Sequence, residues 1–115
     1  MDKQINELIK SIKICLETLI QDSTMIATEF QSGNTGRAIN KLIRYIEDFS
    51  SLVQAIERVQ GNSAHVISDL DGIKLRNVLL EMEKAMCNKD YVLLADILEY
   101  EVKDVLVEIQ NSIEA

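Results

Sequence analysis

The chain has 115 residues, the length of one ordinary domain, and 47% of them are apolar, enough to bury roughly two thirds of the unfolded surface without staples. A net charge of −7 excludes the Lys- and Arg-driven displacement of counterions on which nucleic-acid binding depends. Three Tyr, two Phe and no Trp point to an aliphatic core, and the lack of Pro suits long helices, since an interior Pro costs about 3 kcal/mol.

The opening run, MDKQINELIKSIKICLETLI, is interrupted by Lys and Glu at helical spacing, so it reads as neither a signal peptide nor a membrane span. Apolar residues recurring in steps of three and four predict a first helix from about Asp2 to Phe30, with Leu8, Ile12, Leu16, Leu19, Ile26 and Phe30 on its buried side. Ile14 and Met25 fall on the outward side of that helix, too few to form a site. Gln31-Ser32-Gly33-Asn34-Thr35-Gly36 ends it with two glycines and small polar residues. A second helix follows from about Thr35 to Gln60, with Ile39, Leu42, Ile46, Phe49, Val53 and Ile56 as its stripe and Gly61 as its stop. The short turn makes the two an antiparallel hairpin.

The third region has two phases. Val66, Leu70 and Ile73 cluster at about 100–160° on a helical wheel, whereas Leu75, Val78, Leu79, Met82, Ala85 and Met86 cluster at about 220–340°. One straight helix cannot set both groups against one core, which places a break at Asp69-Leu70-Asp71-Gly72, with Asp69 or Asp71 capping a helix to about Cys87. Gly61 to Ser68 becomes a connection. Asn88-Lys89-Asp90 is the next turn, and Asp90 or Asn88 caps a fourth helix that reaches about Ser112. The predicted fold is all-α: a four-helix up-down-up-down antiparallel bundle in one domain, 1–115, its third helix broken or kinked near Gly72. Two chains pairing to complete a bundle is the other arrangement. The similar stripes of helices two and four hint at a hairpin duplicated at an offset of about 56 residues.

Reactive constellations are missing. Di-iron bundles need inward Glu-x-x-His motifs, and the one histidine, His65, falls in the irregular connection. Cys15 and Cys87 lie far apart without close-spaced partners, which argues against zinc and for reduced thiols in a cytoplasmic protein. Aligning Gly72 with the glycine of a calcium loop puts Ile67 and Val78 at ligand positions, and neither coordinates a hard cation. Asp96/Glu99 and Glu101/Asp104 pair at i, i+3, but Glu81 and Glu83 on helix three diverge, so no opposing cluster for Mg²⁺ forms. Gly33 and Gly36 lack the Lys-Ser/Thr of a phosphate loop. No cofactor, metal or catalytic residue is assigned.

Helix four is acidic and apolar on two sides. From Asn88 onward seven acids face two bases, a net −5. Tyr91, Leu94, Ala95, Leu98, Val102, Val105, Leu106 and Ile109 form one apolar side; Leu93, Ile97, Tyr100 and Val107 sit nearly opposite, at about 260–340°. Either neighbouring helices cover both sides, or the second receives an amphipathic helix, with the surrounding acids steering a basic ligand.

Residues 88–101, NKDYVLLADILEYE, follow LLEMEKAMCNKD, and together they resemble a run found in small uncharacterised all-helical proteins of Gram-positive bacteria. Size, acidity, the four-helix pattern and a turn before a final amphipathic helix are also similar to flagellar export chaperones. That likeness implies shielding of helical segments of filament or cap subunits, and it carries over no binding residue. The expected function is a non-enzymatic, chaperone-like interaction module in the cytoplasm, with Leu93, Ile97, Tyr100 and Val107 as partner-binding residues. Its expected partner is a protein or a second copy of itself, with no nucleic acid, membrane or small-molecule substrate. A structural homodimer and a Mg²⁺-dependent helical enzyme are the alternatives.

Overall fold

Steps of three and four between apolar residues place Ile5, Ile12, Leu16, Leu19, Ile26 and Phe30 along one side of the first helix, α1 (Lys3–Gln31), and all are buried in the computed structural model. The structure describes residues 3–62 and 67–114. Two further helices are α2 (Thr35–Asn62) and α3 (Asp69–Cys87). The fourth, α4, spans 91–114 as α-helical Tyr91–Asp96, π-helical Ile97–Val102 and α-helical Lys103–Glu114. The four helices form a bundle of 48 × 21 × 21 Å. α1 packs along α2 and α4, and α3 closes the bundle against the same two.

Both tight turns have one construction. At the end of α1, Asn34 N–H donates to Glu29 O (2.9 Å) and Gly33 N–H to Phe30 O (3.2 Å), with Gly33 at φ +82°. At the end of α3, Asp90 N–H donates to Ala85 O (2.9 Å) and Lys89 N–H to Met86 O (3.0 Å), with Lys89 at φ +54°. Each is a helix terminus closed by a left-handed residue, which satisfies carbonyls that the helix leaves unpaired. Corresponding residues are 56 apart, the offset at which the sequence hints at a repeated hairpin.

Several boundaries move for physical reasons. The deepest line of α2 is Ala38, Leu42, Tyr45, Phe49, Leu52, Ile56 and Val59, while Ile39, Ile46 and Val53 are half-buried on its flank. Gly61 does not stop α2, which runs on to Asn62. The break before α3 falls at Ser68, and the cap is Ser68 rather than Asp69 or Asp71: its backbone is extended and its Oγ accepts from Asp71 N–H at 3.1 Å. Gly72 sits in the first turn of an uninterrupted α3, and the two-phase pattern resolves by leaving Leu70 and Ile73 exposed. His65 and Val66 lie outside the described residues. Asp90 does cap α4, its Oδ1 accepting from Leu93 N–H at 3.1 Å.

Candidate functional site

α4 is fixed at its start and then changes pitch. Tyr91 stacks on Phe30 of α1, ring centroids 5.5 Å apart and 12° between planes, which pins the first turn to the bundle. Next come Leu94, Leu98, Val102 and Leu106, all fully buried and each four residues after the last. In an α-helix such steps drift by about 40° each, so the fourth residue would leave the core. The π turn at Ile97–Val102 takes up about one extra residue and holds all four in line.

The same change of pitch reassigns the outward face. Ile97, expected to be exposed, is core at 3% exposure, because the wide turn swings it inward beside Leu98. Leu93 (47%) and Tyr100 (60%) are exposed as expected, and together with Ile97, Asp96 and Glu101 they line a shallow depression of about 250 Å³. Ile97 is thus its floor rather than a free anchor. Val107 is half-buried and lies outside the depression. Val92, which the wheel did not single out, is exposed just before Leu93.

The rim is acidic and extends onto α3. Glu101 also lines a groove of about 380 Å³ between α3 and α4 with Glu81, Asp104 and Glu108, where the Lys74 ammonium pairs with Glu108 at 3.4 Å. A hydrogen bond with Glu81 holds the Glu101 carboxyl above its ordinary value, with burial and the Glu81 charge adding to it. Glu81, whose i, i+2 spacing turns it away from Glu83, meets Glu101 of α4 across the helix pair. Glu99 turns the other way and accepts from Gln31 Nε2 at 2.7 Å.

Among the described residues no group of three or more His, Cys, Asp or Glu is placed to hold a metal ion. Cys15 and Cys87 are free thiols. Burial pushes the Cys15 thiol up, and neighbouring Asp48 adds to that, so it stays protonated rather than nucleophilic. What the α4 face offers is apolar contact with an acidic border.

Residues 7–112 match the family model described as a domain of unknown function, DUF8042. The chain belongs to this family. No curated protein and no solved structure matches it. Nearly the whole bundle, including both turns, the π turn and the α4 depression, lies within the DUF8042 match. No described helix is long and apolar enough to cross a membrane.

Proposed function

We propose that this protein is a non-enzymatic interaction module whose α4 face receives an amphipathic helix of a protein partner, one with basic residues beside its apolar strip. The supporting observation is that Leu93 and Tyr100 stand exposed over a floor of Ile97 at the one place where α4 abandons regular α-helical pitch. Such π turns are frequent at functional sites. A ring with its apolar face half in solvent is a common anchor for a docking helix, and Asp96, Glu101, Glu81, Asp104 and Glu108 supply the charge that selects a basic one. Self-association through this face is disfavoured, because a two-fold dimer would set the acidic rim against its own copy. The partner is therefore a different protein. The likeness to flagellar export chaperones agrees with shielding a helical segment of a subunit. Free Cys15 and Cys87 suit a reducing bacterial cytoplasm.

The test uses two designed helical peptides of equal apolarity, one flanked by Lys and one by Glu, titrated into the ¹⁵N-labelled protein. The Lys peptide saturates shifts at residues 92–101, weakens with salt, and loses about tenfold in affinity with Tyr100→Ala at unchanged melting temperature. Equal binding of both peptides, or indifference to Tyr100→Ala, contradicts the proposal.

A further inference from the structure

On the opposite corner of the bundle the charge pattern reverses. Residues 30–46 contain Arg37, Lys41 and Arg44 and not one acid, in a chain of net charge −7. Their spacing, i, i+4 and i+7, sets all three on one face of α2. That face borders a cleft of about 380 Å³ between α1 and α2. Its base is apolar: Ile26 and Tyr45 are buried there, and the Tyr45 hydroxyl is engaged with Ser23 Oγ at 2.6 Å. Met25, exposed on α1, forms an apolar lip.

The two walls differ in sign. Asp22 lines the α1 side, and Glu29, also on α1, reaches across through Oε1 to Lys41 (3.1 Å) and Arg37 (4.0 Å). On the α2 side Arg44 makes no ion pair or hydrogen bond among the described residues, and Asp48 lies one turn beyond it. Arg37 and Lys41 share the single Glu29 carboxylate, which leaves one positive charge in excess there, while the Arg44 guanidinium and the Asp22 carboxylate line the cleft from opposite helices. A simple anion would be opposed by Asp22 and Asp48. A simple cation would be opposed by Arg44 and by the positive charge that Arg37 and Lys41 keep after sharing Glu29. A molecule carrying both charges on an apolar body satisfies all of them.

We infer that this cleft binds a small zwitterion of the class of apolar α-amino acids and dipeptides. The carboxylate pairs with Arg44, the ammonium with Asp22, and the side chains lie on Met25, Ile26 and the Tyr45 ring. The volume suits a dipeptide, being at the lower end of small-ligand sites. The site is separate from the α4 face and does not depend on it.

Leucyl-leucine is the ligand to use, titrated into the ¹⁵N-labelled full chain, with N-acetyl-leucyl-leucine and leucyl-leucinamide as forms lacking one charge each. The inference expects saturable shifts confined to residues 22–29 and 37–48, and about tenfold weaker binding when either charge is blocked. Arg44→Ala, at an exposed position that makes no ion pair or hydrogen bond among the described residues, weakens leucyl-leucine about as much as amidating it does, and the amide itself then binds no more weakly than to the unaltered protein. No saturable shift up to the solubility limit, equal binding of the blocked forms, or shifts elsewhere on the bundle would overturn it.

Discussion

Ser23 is the buried hydroxyl in the apolar series of α1, and its hydrogen bonds leave one consistent direction. Its single proton goes to Leu19 O at 2.7 Å, so the Tyr45 hydroxyl, 2.6 Å away, must donate to Ser23 Oγ. Burial pushes the Tyr45 phenol well above its ordinary value, keeping that donor in place across the working pH range. Removing the two partners therefore has unequal effects. Tyr45→Phe leaves Ser23 bonded to Leu19 and lowers stability by about 1 kcal/mol, whereas Ser23→Ala strands a buried phenolic hydroxyl and costs about 1–3 kcal/mol in chemical denaturation. At the acidic rim the sign is opposite. Glu101 binds its proton more tightly folded than unfolded, so its contribution is present below the ordinary glutamate value and is lost as pH rises through the raised one. Glu101→Gln accordingly raises the unfolding free energy at neutral pH, by under about 1 kcal/mol because the group is exposed, and the gain disappears below about pH 4.

The elements show which parts of the structure could be read beforehand. α1 and the start of α2 follow from apolar steps of three and four and from Gly33, because constant pitch makes a wheel reliable and a left-handed turn favours glycine. Asn88-Lys89-Asp90 marks the matching turn in sequence, but nothing about a lysine announces the left-handed backbone at Lys89. Lys89→Gly should therefore stabilise the protein by about 0.5–1 kcal/mol, and Gly33→Ala should destabilise it by a similar amount in thermal melts. A wheel fixed at 100° assumes one pitch throughout and so cannot show the π turn. The legible sign was the unbroken run of four-residue steps through Leu94, Leu98, Val102 and Leu106. For that reason the exposure expected of the candidate face holds at Leu93 and Tyr100 but not at Ile97, which is buried.

The two hairpins make the π turn testable. Buried residues Ala38 and Leu42 correspond to Leu94 and Leu98 at an offset of 56, while Tyr45, Phe49 and Leu52 correspond to Val102, Leu106 and Ile109 at 57. The extra residue lies between Leu98 and Val102. Deleting Tyr100 should restore ordinary pitch with the core in register, leaving helicity intact and the melting temperature within about 5 °C. Deleting Ile43, the exposed residue at the equivalent place in α2, turns Tyr45, Phe49, Leu52 and Ile56 away from the core. At roughly 1.5–3 kcal/mol per buried side chain that loss approaches the whole stability of a small domain, and the variant should fail to fold.

At the scale of the molecule, charge and shape divide the bundle into two unlike faces. α2 and α4 sit on opposite corners, with Arg37, Lys41 and Arg44 along one and the Glu81, Glu101, Asp104 and Glu108 groove beside the other. A protein partner approaching in water is oriented by that asymmetry before any apolar contact forms, so its association rate should fall as salt rises. The central claim is that the depression at the π turn holds a basic amphipathic helix of another protein. Its most direct measurement places a photo-crosslinking benzoylphenylalanine at position 100 in living cells, with the same residue at Ile14, an exposed apolar position on α1, as the comparison. A discrete adduct at position 100, absent at position 14 and mapping to a basic amphipathic helix, is the predicted result. No adduct at position 100, or the same adducts at both positions, would contradict it.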